Sequence, residues 1–232
     1  MNASVQFILV CLGVVAGLLL IAWLYEHFRC RDLPRLSSPK YIATVGICSA
    51  LAAVLMLLEF PLLFLAPEFY KLDFSELPVL IATFYLGPVA GVLTEFLKIL
   101  LKLLFKGTST AFVGELANFV VGCALVLPAS MIYHWNRTKK NAVVGLVVGT
   151  LVMAVFGSLF NAVYLLPAFA ELFHIPLDVI IGMGTKINKG IRDVYTFVAL
   201  AVAPLNLIKG GTVSILTMLL YKRIEPVMFK RK

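Results

Sequence analysis

Long apolar runs separated by short charged segments dominate the chain. Residues 7–25, 41–58 and 142–167 carry no charge, 111–133 is interrupted only by Glu115, and 194–221 only by Lys209. A bilayer core of ~30 Å takes about 20 apolar residues per helix, so each run predicts one membrane span. Residues 72–105 are too long for one crossing at ~1.5 Å per residue. Gly87-Pro88 sits near their middle, and such a pair marks a turn. Splitting the segment there predicts two shorter helices.

Charge placement supports the split. With a turn at Gly87-Pro88, three basic groups fall on one side: Arg29/Arg31/Arg35/Lys40, Arg137/Lys139/Lys140 and Lys222/Arg223/Lys230/Arg231/Lys232. The positive-inside rule makes that side cytoplasmic. Residues 7–25 are preceded by no positive side chain and followed by arginines, which predicts a retained helix with its N-terminus outside rather than a signal peptide. The expected organisation is an extra N-terminal transmembrane helix (1–28), a six-helix membrane domain (41–223) and a basic cytoplasmic tail (224–232), all α-helical.

Composition agrees. Of the 232 residues 61% are hydrophobic and 14% charged, with a mean hydropathy of +0.99. That is the makeup of a protein whose solvent is lipid. The net charge of +8 resides in the inter-span segments, so it reads as topology and not as nucleic-acid binding. The four cysteines show no paired spacing and suggest neither disulfide nor metal. Neither a nucleotide-binding loop (GxxxxGK[ST], GxGxxG) nor an HExxH or GxSxG motif occurs, so the chain brings no ATP-hydrolysing machinery of its own.

Ionisable and amide residues at membrane depth carry the functional signal. In "KLDFSELP", Asp73 and Ser75 suit a helix N-terminus, or the edge of a lid over a site. In "LTEFLKILLKLLFK", Glu95, Lys98 and Lys102 lie near one helix face. That pattern fits a local ion pair with Lys102 and Lys106 snorkelling outward, while Glu95 sits deeper. In "GELANF", Glu115 and Asn118 share a face among small residues, poised for a lysine on the preceding helix or for a ligand. Asn161 in "FNAVYLLP" lies near the outer end of its helix. In "PLNLIKGG", Asn206 and Lys209 are one turn apart. Amides both donate and accept and an ammonium only donates, so this set suits a neutral heterocycle with alternating N–H and C=O groups. A structural role for Lys209, paired with Glu95 or Glu115, is the competing reading. Tyr85, Tyr164, Tyr195 and Phe197 offer surfaces for stacking.

At these residues the chain resembles the substrate-binding S components of energy-coupling factor (ECF) vitamin transporters, and among them the riboflavin-specific members. The matching pieces are "KLDFSELPVLIATFYLGPVAGVLTEFLK", "VGELANF", "FNAVYLLP" and "PLNLIKGG…YK", in the family's order, over roughly residues 41–223. The resemblance implies a six-helix core and a flavin site near the outer face, closed by the loop after the first core helix. It implies that Asn161, Asn206 and Lys209 hold the polar edge of the ring. The residues themselves add Tyr85, Glu115, Asn118 and Tyr164 as candidates around that edge, and Asp73, Phe74 and Glu95 as candidates in the lid and its network. It further implies docking on a shared module of one membrane coupling subunit and two ATPases. Gly46, Ser49, Ala50 and Ala53 on the first core helix make the small-residue docking face.

The sequence thus points to a multi-pass subunit of a bacterial cell membrane that captures riboflavin outside for ATP-driven uptake, with no cofactor of its own. Its partners would be the ECF module and lipid, and not nucleic acid. Alternatives are an S component for another vitamin or for flavin mononucleotide, a membrane enzyme using Glu95, Glu115 and Lys209, or a ligand-free scaffold.

Overall fold

The computed structural model describes residues 3–30, 33–110 and 112–228. Arg31 and residues 229–232 of the basic tail lie outside them. Helix α1 (Ala3–Arg29) precedes α2 (Pro39–Leu57). A lid follows, containing the strands β1 (Phe60–Pro61) and β2 (Lys71–Leu72), which pair antiparallel with Phe60 opposite Leu72. Next come α3 (Glu76–Leu86), α4 (Pro88–Lys106), α5 (Val113–Trp135) and α6 (Lys139–Phe160). A π-helical turn (Asn161–Leu165) carries α6 into α7 (Leu166–Leu172). Then α8 (Leu177–Ile187) crosses the outer end, and α9 (Val194–Phe197) runs through a second π-helical turn (Val198–Val202) into α10 (Ala203–Met228).

Five of these helical stretches are long and apolar enough to cross a membrane: Leu9–Arg29, Pro39–Leu57, Val113–Trp135, Lys139–Leu172 and Val194–Tyr221. The remaining segment divides as the glycine-proline pair predicts. Gly87 adopts φ 114°, a conformation that disfavours side chains, and ends α3 while α4 starts on Pro88. With 11 residues, α3 rises about 16 Å, too little to cross alone. The lid makes up the depth by burying Leu72, Asp73 and Ser75 ahead of α3, which starts at Glu76.

Local chemistry sets the other ends. Ser38 Oγ accepts from the Tyr41 N–H at 3.3 Å and Thr138 Oγ1 from the Asn141 N–H at 3.2 Å, capping α2 and α6. Helices α5 and α6 approach closely through Gly145 and Gly149, a G-x-x-x-G pair. A Cβ on Gly145 would stand 2.6 Å from the Ala129 carbonyl oxygen, and one on Gly149 would strike the Leu125 carbonyl.

Helix α1 lies against α4 and α5, with Ala22 fully buried. Its inner end is fastened by polar contacts. The Tyr25 hydroxyl donates to the Met131 carbonyl at 2.5 Å, and Arg29 lies 4.1 Å over the Trp135 ring. Glu26 Oε1 accepts from the Val89 N–H at 2.7 Å. Gly87 gives α4 no side-chain cap, so a carboxylate from α1 supplies it. The described basic residues Arg29, Arg35, Lys40, Arg137, Lys139 and Lys140 gather at this end with the Gly87 turn, which the positive-inside rule assigns to the cytoplasm. The lid, the α4–α5 loop and α8 form the outer end.

The expected docking face divides. Gly46 and Ala50 are exposed on α2, flanked by Ile42, Ile47, Leu51 and Val54. Ser49 and Ala53 turn inward instead and are 1% exposed, with Ser49 Oγ bonded back to the Val45 carbonyl at 2.7 Å. Spacing of four joins Ser49 to Ala53, but the pair sits about a quarter turn from Gly46 and Ala50, on the side that packs into the bundle.

Candidate ligand-binding site

A chamber of about 180 Å³ opens in the outer half of the bundle. Its wall is assembled from the lid (Tyr70, Asp73), α5 (Glu115, Asn118), α6 with its π turn (Met153, Asn161) and α10 (Asn206, Lys209). Outside it, between the lid and α8, lies a larger apolar vestibule of about 780 Å³. The two share Phe69, Lys71, Ser109, Thr110 and Phe169, and the rings of Phe69 and Phe169 stand 5.9 Å apart between them.

The helix irregularities aim the chamber's side chains. Each π turn ends two residues before a proline, Pro167 after Leu165 and Pro204 after Val202. Proline lacks an N–H and its ring clashes with the carbonyl four residues back, and a widened turn accommodates both. Asn161 opens one π turn and Asn206 follows the other. The Asn161 amide donates to the Gly157 carbonyl at 2.7 Å and accepts from the Tyr70 hydroxyl at 2.6 Å. Asn206 rests on Gly157, where a Cβ would stand 2.6 Å from its Nδ2. Among the described residues the amides of Asn118 and Asn206 make no hydrogen bond to protein, so both remain available to a ligand.

Below the chamber runs a chain of alternating charges. Lys209 Nζ lies 2.9 Å from Asp73 and 3.2 Å from Glu76, and Lys98 Nζ lies 3.4 Å from Glu76 and 2.6 Å from Glu95. All five groups are buried. A buried charge is tolerated when paired, and removing one partner of such a pair typically costs about 3–5 kcal/mol. Asp73 Oδ1 also accepts from the Ser75 N–H at 2.8 Å. It therefore turns the lid into α3 rather than capping the helix, since the capping position is Ser75, with no side-chain bond.

A second cluster closes the outer rim. Glu115 accepts from Lys102 at 2.5 Å and from the Thr108 and Thr110 hydroxyls, both at 2.9 Å. Glu59 bridges Lys71 at 3.0 Å and Lys106 at 2.5 Å, tying the base of the lid to the end of α4.

The structure brings together Asn118, Asn161, Asn206, Lys209, Glu115 and Asp73 from the sequence-derived set. It separates others. Tyr85 lies at the cytoplasmic end, with the Lys40 ammonium 4.9 Å over its ring, because α3 carries it nine residues away from Glu76. Tyr164 packs between the α1, α4 and α5 cluster and the outer cluster around Leu165 and is absent from the chamber wall, since the π turn rotates it off the face of Asn161. Glu95 lies beneath the chamber, its carboxylate against Gly122, with Lys98 as its ion-pair partner. Phe74 packs under the lid, 6.1 Å from Phe60. Tyr195 is exposed, and Phe197 is buried against Tyr70 and Gly184. Lys209 pairs with neither Glu95 nor Glu115. Lys102 turns inward to Glu115 instead of snorkelling.

The sequence reading missed Tyr70, Phe69 and Phe169 as parts of the site, and Lys98 as a wholly buried cation. An aromatic pair in a loop between two spans was the available signal for the first two. For Lys98 the signal was its spacing of three from Glu95 on a face otherwise apolar.

A family model for the ECF transporter substrate-specific component matches residues 40–221. The chain belongs to this family. Among curated proteins, it is 37% identical over 185 residues to the riboflavin transporter RibU of Staphylococcus aureus (strain TCH60), covering 80% of this chain and 90% of that one. It is 32% identical over 188 residues to the riboflavin transporter FmnP of Bacillus subtilis (strain 168), covering 81% and 93%. A solved S component of a bacterial ECF transporter superposes with a TM-score of 0.65 at 36% identity, over 83% of this chain and 98% of that one. This substrate-specific component is therefore an all-α, multi-pass protein of the cell membrane and a transporter part, not an enzyme. Helix α1 precedes the matched region.

Proposed function

We propose that this substrate-specific component captures riboflavin at the outer face of the membrane. It then passes the vitamin inward by docking on a shared module of one membrane coupling subunit and two ATPases. The observation that carries the reading is the convergence of Asn118, Asn161, Asn206 and Lys209 on one outward-facing chamber. Three amides offer donors and acceptors and one ammonium offers donors, the complement of a ring edge that alternates C=O and N–H. A flavin lacking that edge would leave these groups unpaired, and unpaired buried polar groups penalise the wrong ring. The named relatives are riboflavin transporters, which supports the same ligand.

The ligand enters through the vestibule, past Phe69 and Phe169, whose flat faces suit an aromatic ring. Tyr70 then yields Asn161 to the ligand and the lid closes. For the partner module, the exposed strip of Gly46 and Ala50 on α2 permits close helix approach. ATP hydrolysis belongs to the partners.

The test is a titration of the ligand-free, detergent-purified protein with riboflavin, followed by flavin fluorescence. Tight stoichiometric quenching in the wild type, abolished in Asn206→Ala and Lys209→Ala, is the expected result. Binding kept by both variants would retain the vitamin and overturn the site. A folded protein that quenches nothing would overturn the vitamin.

A further inference from the structure

Lys209 has two carboxylate partners, and they are held very differently. Asp73 sits in the irregular segment between β2 and α3 and lines the chamber. Glu76 sits in the first turn of α3, wholly buried, and is absent from the chamber wall. Its Oε1 faces both ammoniums, Lys209 at 3.2 Å and Lys98 at 3.4 Å, while its Oε2 accepts from Ser75 Oγ at 3.1 Å. The Lys98 ammonium in turn donates to Ser75 Oγ at 3.1 Å and is pinned from behind by Glu95 at 2.6 Å. Glu76 is thus fixed by the core of the bundle, and Asp73 by the lid.

An ammonium has three N–H donors at fixed angles. Two carboxylates occupy two of them, so the direction of the third is set. We infer that Glu76 is a positioning residue for the ligand: with Ser75 and Lys98 holding it, it keeps the Lys209 ammonium in the chamber wall with one donor aimed at the ligand's carbonyl. This deepens the riboflavin reading and rests on it. Glu76 touches no ligand and acts only through Lys209. Without it, the ammonium is left to Asp73 and follows the lid.

The full-length protein in detergent is titrated with riboflavin, and the bound flavin's carbonyl stretches are recorded by infrared difference spectroscopy. Glu76→Gln keeps the shape and the Ser75 contact and removes the charge. It is expected to weaken riboflavin at least about tenfold, the scale of one charged hydrogen bond, and to move a flavin carbonyl band toward its position in Lys209→Ala. Ser75→Ala, a milder release of the same carboxylate, is expected to do the same in smaller measure, and decides the matter if Glu76→Gln does not fold. Glu95→Gln removes an equally buried carboxylate that touches Lys98 and not Lys209. It reaches Lys209 only through Lys98 and Glu76, so it is expected to move the carbonyl band by less than Glu76→Gln does. Unchanged affinity and band in Glu76→Gln and Ser75→Ala, or an equal band shift in Glu95→Gln, would overturn the inference while leaving the vitamin in place. A wild type that does not bind riboflavin would instead overturn the underlying reading, and this inference with it.

Discussion

The Tyr70 hydroxyl donates to Asn161 Oδ1 at 2.6 Å across 91 residues of sequence, joining the lid to the π turn of α6. This bond fastens the lid to the chamber wall. Tyr70→Phe removes it while keeping the ring against Phe197. A buried hydrogen bond of this kind contributes about 1 kcal/mol. Hydrogen–deuterium exchange over residues 62–73 is expected to rise severalfold in Tyr70→Phe, with α4 and α5 unchanged. Exchange at wild-type rates would mean that the hairpin and the Glu59 bridges alone fix the lid.

Those bridges have a pH signature. Burial raises the Glu59 carboxyl, but hydrogen bonds from Lys106 and Lys71 outweigh it and hold the group below the usual carboxylate range. For a carboxylate depressed in the folded state, the stabilisation is complete above the unfolded value, about 4, and disappears as pH falls through the folded value. The melting temperature in detergent is therefore expected to hold steady down to about pH 5 and to drop below about pH 4. Glu59→Gln should start lower and drop less. An equal drop in Glu59→Gln would assign the acid sensitivity elsewhere.

How much of this was legible beforehand differs by element. The spans, the break at Gly87-Pro88 and the cytoplasmic end follow from composition, a turn dipeptide and charge counting, all local signals. Asn161, Asn206 and Lys209 were legible because a polar group inside an apolar run is costly and needs a reason. The partners of Lys209 were not legible. Glu95, Glu115, Asp73 and Glu76 are all acids at suitable depth, and only the three-dimensional path of the lid into α3 selects Asp73 and Glu76. Tyr85 and Tyr164 went astray for a related reason: helical phase fixes a face only while the helix stays regular, and α3 is too short, and α6 too irregular, to carry the register outward.

Helix α1 makes a prediction of its own. Glu26 caps α4 at the cytoplasmic end, the full bundle length from the chamber. Glu26→Ala is expected to cost about 1 kcal/mol of stability, the usual value of a lost helix cap. Thermal unfolding would register it as a lower midpoint. Riboflavin affinity should stay within twofold of wild type. A large loss of affinity would mean that α1 acts on the site and does more than buttress the bundle.

The glycines of α6 divide into two mechanical classes. At Gly149 an added methyl meets the Leu125 carbonyl, a backbone atom that cannot yield without parting α5 from α6. Overpacking of this kind costs about 1–3 kcal/mol, so Gly149→Ala is expected to lower the melting midpoint. Gly46→Ala on α2, where nothing lies within 4 Å of the new carbon, is expected to leave it unchanged or raise it slightly.

Gly157 belongs to the other class. The methyl of Gly157→Ala would meet Asn206 Nδ2 at 2.6 Å, with the next atoms at 3.4 Å or beyond. A side-chain amide can rotate away, so the fold gives little and the melting midpoint should barely move. The amide is then no longer where a flavin edge would meet it. With a misplaced hydrogen-bonding group worth about 1 to 2 kcal/mol, affinity is expected to fall about tenfold. Stability held with affinity lost identifies Gly157 as the seat on which Asn206 is set. Affinity held as well would show that Asn206 reaches the ligand from more than one rotamer, and that the chamber tolerates more freedom at α10 than its packing suggests.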